Sequence, residues 1–222
     1  MTTLRPELEP LIDRMKHLPV DERGYPVPWF VDWQDGKPEF RAMDRHKWVR
    51  AVKQSLCWVC GGPLGKFKAF VIGPMCAVNR TTSEPACHRD CAEWSARNCP
   101  FLARPHMVRR EDEVFNNTYL REHAAGLPLT RNPGVACVWI TTEFKIFPDP
   151  KGKPLIEIGE PHDVVFYAEG RIATRDEIMA SVEGGLPALR EAADADPRDP
   201  ALARIALGEM VARFEQLIAS VA

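Results

Sequence analysis

Two short motifs constrain this chain more than any other feature: Cys57-Trp58-Val59-Cys60 followed by Gly61-Gly62, and His88-Arg89-Asp90-Cys91. Thiolates two residues apart can bind one tetrahedral ion, and the glycines permit a tight turn that aims backbone N–H groups at sulfur. The second pair follows after 27 residues, and its i, i+3 spacing puts an imidazole and a thiolate on one side of a helix's first turn. A helix N-terminus favours a thiolate through its dipole. Cys57, Cys60, His88 and Cys91 therefore read as the ligands of one structural Zn2+. Cys87 with Cys91, at i, i+4, offers a competing fourth ligand; His88 is preferred. Three thiolates on Zn2+ leave a net negative charge, and Arg89, Lys66 and Lys68 are near enough in sequence to offset it. Such a site contributes roughly 10–16 kcal/mol of metal-coupled folding energy, comparable with the whole net stability of a domain, so losing the ion should cost the fold. Four protein ligands leave no position for a reactive water, which argues against catalytic zinc.

Seven cysteines, four of them in close pairs, favour metal over disulfide in a reducing compartment. Cys76, Cys99 and Cys137 are expected to pack in apolar surroundings, with Cys99 eight residues past Cys91 on the same helical face and so a possible neighbour of the site. The chain has 222 residues, 45% hydrophobic and 27% charged, enough for a sizeable core in one large or two small domains. No run approaches the roughly 18 apolar residues of a membrane span, and the first residues lack the layout of a signal peptide, so a cytoplasmic location is expected.

Leu8, Leu11, Ile12 and Met15 recur at helical spacing and predict a short opening helix. Residues 29–33 read as a strand that turns at Asp35-Gly36 and returns over 37–43, a β-hairpin. Residues 45–56 change to helical period and run into Cys57. A strand over 67–72 ends at Gly73-Pro74, a polar loop covers 79–85, and a helix covers 88–98. Four strands over 135–140, 144–147, 155–158 and 164–167 read as an antiparallel meander, with a turn at 149–152. Thr174-Arg175-Asp176-Glu177 has the form of a capping box; Gly184-Gly185 reads as that helix's stop, and Pro187 as the start of another. Asp199-Pro200 opens a last helix with an apolar stripe of Leu207, Met210, Val211, Phe214, Leu217, Ile218 and Val221. The expected architecture is α+β, with a zinc-stapled central module, an antiparallel C-terminal β-meander and a helical tail. The boundary is placed between 1–103, which carries the zinc module, and 104–222.

Cys57-x2-Cys60-Gly, a strand pair and His88-x2-Cys91 at a helix start resemble the treble-clef class of zinc modules, over about 57–99. Phe70-Val-Ile-Gly-Pro-Met-Cys76, Glu84-Pro85 and His88-Arg-Asp-Cys91 give the whole chain a resemblance to uncharacterised zinc-finger-bearing proteins of phages and prophages, which implies no activity. The treble-clef resemblance also raises the His-metal-finger nucleases. Here His88 is committed to the zinc, and Asn79, His106 and Asn116 do not stand in the required place. Gly61 to Lys66 is not a phosphate loop, since Cys60 occupies the first glycine position and Phe67 follows the lysine.

Charge is unevenly spread. Residues 37–68 carry +6 and residues 149–222 carry −6. His46, Lys47, Arg50, Lys53 and Lys66, with Trp29, Phe30 and Trp33 nearby, are the candidate nucleic-acid contacts. The sequence pI near 6.3 lacks the strong basic excess usual for that role. A non-enzymatic, zinc-binding interaction protein with a protein partner is the favoured reading, nucleic-acid binding through the basic centre the alternative, and no membrane or small-molecule partner is indicated.

Overall fold

The computed structural model of the chain describes residues 3–104, 134–149 and 151–221. The opening helix is not formed. Pro6 and Pro10 bring no N–H to a helical ladder, and the neighbouring backbone is engaged elsewhere: Glu9 N–H donates to Asn98 Oδ1 at 2.8 Å, and the Pro10 carbonyl accepts from Trp94 Nε1 at 3.1 Å. Only a 3-10 turn remains, Asp13–Met15, although Met15 and Leu18 are buried as apolar spacing demands.

The hairpin forms as expected. β1 (Val31–Gln34) and β2 (Lys37–Met43) are antiparallel, and Asp35 (φ 49°) with Gly36 (φ 75°) makes the left-handed pair that a two-residue hairpin turn requires. Trp29 and Phe30 precede β1 and face inward: Phe30 stacks on Trp58 at 4.9 Å, and Trp29 meets it edge-on at 6.4 Å. α1 (Arg45–Gln54) is capped by Asp44, whose carboxylate accepts from His46 and Lys47 N–H. It stops before the cysteines because Ser55 adopts a left-handed cap (φ 50°).

β3 (Lys68–Ile72) is followed by α2 (Pro74–Asn79), a short helix that is not among the elements expected from the sequence and that ends where the expected loop at 79–85 begins; its proline fills the first helical position, where no N–H is needed. Then come β4 (Thr81–Thr82), α3 (Arg89–Asn98) and α4 (Pro100–Ala103).

The four expected strands are present as β5 (Ala136–Thr141), β6 (Phe144–Pro148), β7 (Pro154–Ile158) and β8 (Asp163–Ala168), with the turn at 149–152 between β6 and β7. Their pairing is not a meander. β5 lies between β3 and β8 in a sheet of order β3-β5-β8-β9, where β9 is Arg171–Ile172; the β6–β7 hairpin pairs instead with β4. Burial explains the split, because every residue of β5 is buried and so needs a strand on each side and cover on both faces. β6 has a mostly exposed pattern and serves as an edge. The main sheet thus draws β3 from before residue 103 and β5, β8 and β9 from after it.

α5 (Arg175–Asp194) begins at the expected capping box of Thr174 and Glu177 but runs unbroken through Gly185 and Pro187. A Cβ on Gly185 would lie 2.5 Å from Met75 Cγ, so this glycine makes room for α2 rather than ending the helix. Asp199 Oδ1 caps α6 (Pro200–Val221) through the N–H groups of Ala201 and Leu202.

Strand alternation divides the core in two. Phe70, Cys137, Trp139 and Phe166 face α2, α5 and α6, and the stripe from Leu207 to Ile218 packs on this face. Ala69, Val138, Ile140 and Tyr167 face α3, the cysteine turn and the N-terminal segment. Among the described residues no helix is long and apolar enough to cross a membrane.

Candidate metal centre

The turn that carries Cys57 and Cys60 is closed by backbone hydrogen bonds, Cys57 N–H to Gly62 O at 2.7 Å and Gly61 N–H to Cys57 O at 2.8 Å. Gly61 is left-handed (φ 74°), and a Cβ there would sit 2.8 Å from the Trp29 ring, so glycine is required twice over. Cys57 Sγ accepts from Cys60 N–H (3.5 Å) and His88 N–H (3.3 Å), the backbone-to-sulfur bonds that a zinc knuckle needs. His88 is the N-cap residue of α3, and Cys91 lies in its first turn. That places the second ligand pair at the positive end of the helix dipole.

These elements bring together Cys57, Cys60, His88 and Cys91, whose ligand atoms all lie within 4.8 Å of one another. His88 Nδ1 is 3.4 Å from Cys60 Sγ and 3.9 Å from Cys91 Sγ. A tetrahedron with zinc–sulfur and zinc–nitrogen bonds of ordinary length has edges of about 3.5–3.8 Å, close to the two His88–sulfur separations, so the group could hold a metal ion. The imidazole is oriented from behind: Nε2 donates to the Pro63 carbonyl at 2.9 Å, so in the neutral ring the Nδ1 lone pair faces the sulfurs. Cys57 and Cys91 have no solvent exposure, Cys60 has 4% and His88 9%.

Cys87 stays outside the cluster. Its backbone pairs both ways with Ala69 (2.9 and 2.6 Å), and its contact with Cys57, together with burial, pushes its thiol well up. Hydrogen bonds from Cys60, Cys87 and Cys91 hold Cys57 far below the ordinary thiol range, whereas the contact with Cys57 raises Cys60 and Cys91. Charge is thus focused on Cys57, and the same contact raises His88. A dication held by all four groups would let every sulfur carry its charge. Cys76 and Cys137 lie in the other core as expected; burial pushes the Cys76 thiol up to about 11. Cys99 falls between α3 and α4, outside the ligand group.

The cations expected to offset the sulfur charge are placed elsewhere. Arg89 pairs with Glu93 (2.7 Å) and Asp163 (2.8 Å), Lys68 donates to the Gly65 and Lys66 carbonyls, and Lys66 lies over the Phe67 ring. Arg14 approaches this end of α3 from the N-terminal segment: it pairs with Asp90 at 3.0 Å, and its charge is favoured first by Asp90 and to a lesser degree by Cys91 and Cys60. No pattern in the sequence marks Arg14, because the contact depends on how the N-terminal segment crosses α3.

The nucleic-acid candidates are dispersed in their roles. Lys47 Nζ donates to Val31 O at 2.9 Å, and Arg50 lies over the Trp29 ring at 5.5 Å. His46 and Lys53 are exposed on α1, and Trp33 is exposed on β1. Of the nuclease candidates, Asn79 Oδ1 accepts from Thr81 N–H, while His106 and Asn116 lie outside the described residues.

Fold and cluster together define an α+β protein with a buried Cys3His group that could hold a metal ion. Comparison with protein-family models, curated proteins and solved structures yields no match to this chain.

Proposed function

We propose that the chain binds one structural zinc ion through Cys57, Cys60, His88 and Cys91 in a treble-clef-type module, and that it acts as a non-enzymatic interaction protein. The observation that carries this is the closure of the site. All four donors are buried, and the second nitrogen of His88 is already bonded to Pro63, so four protein ligands surround the ion and leave it no substrate position. A knuckle turn followed by a ligand pair at a helix start supports the treble-clef reading, although the strand pair expected between them is not formed: β3 pairs with β5 and β4 with β7, and a single Ala69–Cys87 bridge ties β3 to the start of α3. Thiolate ligation suits a reducing cytoplasm, and a phage or prophage source accords with the sequence resemblance. A protein partner is favoured over nucleic acid, since Lys47 Nζ is bonded to the Val31 carbonyl and the sequence pI near 6.3 lacks the strong basic excess usual for nucleic-acid binding.

Elemental analysis and cobalt substitution test the metal reading. One zinc per chain and the intense visible bands of tetrahedral thiolate-bound Co2+ are expected. Iron in place of zinc, or the weak bands of an oxygen-ligated octahedral ion, would refute it. A salt series with single-stranded and duplex oligonucleotides tests the partner reading: binding that survives physiological salt and disappears in Arg50→Glu/Lys53→Glu would reverse the choice of partner.

A further inference from the structure

Residues 5–28 contain a single regular element, the 3-10 turn at 13–15, yet they are anchored along their length. The Glu9 carboxylate grips Arg97 at 2.9 and 3.1 Å, Glu9 N–H reaches Asn98, the Pro10 carbonyl takes Trp94 Nε1, and Arg14 pairs with Asp90. Positions 90, 94, 97 and 98 form one face of α3. The segment then leaves α3 and reaches the cysteine turn, where His17 Nε2 donates to the Cys60 carbonyl at 3.0 Å and Trp29 N–H donates to the Val59 carbonyl at 2.7 Å. Between these anchors Met15 (1% exposed) and Leu18 (6%) pack in the same cluster as Cys57, Cys60 and Cys91.

This path ties the two ligand pairs together from outside. Asp90 sits between His88 and Cys91, and its two carboxylate oxygens have different partners: Oδ1 accepts Cys91 N–H at 2.9 Å and Oδ2 accepts from Arg14 at 3.0 Å. Arg14 therefore braces the helix-borne pair while His17, three residues on, braces the turn-borne pair.

We propose that residues 9–17 form a strap controlling metal exchange, in which Arg14 and His17, with Asp90 of α3 as the docking partner of Arg14, are positioning residues that keep the two ligand pairs closed against a competing chelator or thiol. The proposal rests on the zinc reading above. Arg14 and Asp90 are each about half exposed, at 53% and 49%, and His17 is exposed as well, so these contacts add little to global stability. Their effect falls on local opening, which is what admits a competing ligand.

The test uses the full zinc-loaded chain with an excess of a chromogenic chelator and reads the first-order release of zinc. Arg14→Ala/His17→Ala should still bind one zinc with the wild-type cobalt spectrum and a nearly unchanged Tm, yet release the ion about tenfold faster, the lower end of what outer-shell substitutions cost. Asp90→Asn keeps the oxygen that accepts Cys91 N–H and removes the charge partner of Arg14. It should also release faster, and it provides the same reading if the double variant does not fold. Lys16→Ala, from the same turn but paired only locally with Asp13, should match wild type. Added salt should speed release from wild type and not from the double variant, because the Arg14–Asp90 pair is open to screening. Release at the wild-type rate from both Arg14→Ala/His17→Ala and Asp90→Asn, or equal acceleration in Lys16→Ala, would overturn the strap. A chain that takes up no zinc would remove the metal reading itself, whereas a zinc-bound chain with unchanged release removes the strap alone.

Discussion

Gly61→Ala tests the geometry of the cysteine turn at its tightest point. The residue is left-handed (φ 74°), which costs an L side chain about 1–2 kcal/mol. The new methyl would also lie 2.8 Å from Trp29 Cγ and Cδ1 and 3.0 Å from Cδ2. The ring has little room to retreat, since Trp58 meets it edge-on and Arg50 covers it. Overpacking of this kind costs about 1–3 kcal/mol. The sum, about 2–5 kcal/mol, should lower the Tm of the zinc-loaded protein by roughly 5–15 °C for a chain of this size, while zinc content stays at one. Urea unfolding of Gly61→Ala, Trp29→Leu and the double variant separates the two parts. Removing the ring should recover the contact share as a coupling energy of about 1–3 kcal/mol and leave the backbone strain behind. A cost under about 0.5 kcal/mol, well below the strain expected of a left-handed alanine, or a coupling of zero, would refute this account of the turn.

Two further outcomes concern the ligand group and the cap of α5. Cys91→Ser should bring zinc content below about half an equivalent and unfold the centre, whereas Cys87→Ala should keep one zinc, since the Cys87 thiol lies outside the ligand group; metal analysis of both variants reverses the ligand assignment if they behave the other way round. Arg171 and the Thr174 N–H hold the Glu177 carboxyl down at about 2 against an ordinary value of 4.5, so its stabilising contribution is present above about 4.5 and is lost as pH falls through about 2. Its carboxyl 13C shift should accordingly stay flat from pH 7 to pH 5, where an unpaired glutamate has begun to titrate, and an ordinary midpoint would contradict the Arg171 pair first and the Thr174 N–H bond with it.

The two ligand motifs, the hairpin turn at Asp35-Gly36, the helix that starts at His88 and the Thr174 capping box were legible in the sequence because each is settled by residues within a few positions of one another. Hydrogen-bond reach and backbone sterics decide such features locally. The strand positions were legible for the same reason, but not their partners: β5 is an apolar run whose neighbours are chosen by which faces remain to be covered, and that depends on β3 and β8, far away in sequence. The Gly185 signal misled because that glycine serves close packing, with Met75 of α2 in the space of a Cβ, rather than a helix stop; nothing in the local sequence shows that the helix continues through Pro187. The segment before Met15 kept its apolar spacing but lost its helix, because two prolines and the polar side chains of α3 made another set of hydrogen bonds available. The ligand types were thus determined by the sequence, while Arg14 on Asp90, His17 on the Cys60 carbonyl and Cys87 paired with Ala69 outside the ligand group were decided only when the N-terminal segment, the cysteine turn, β3 and α3 packed together.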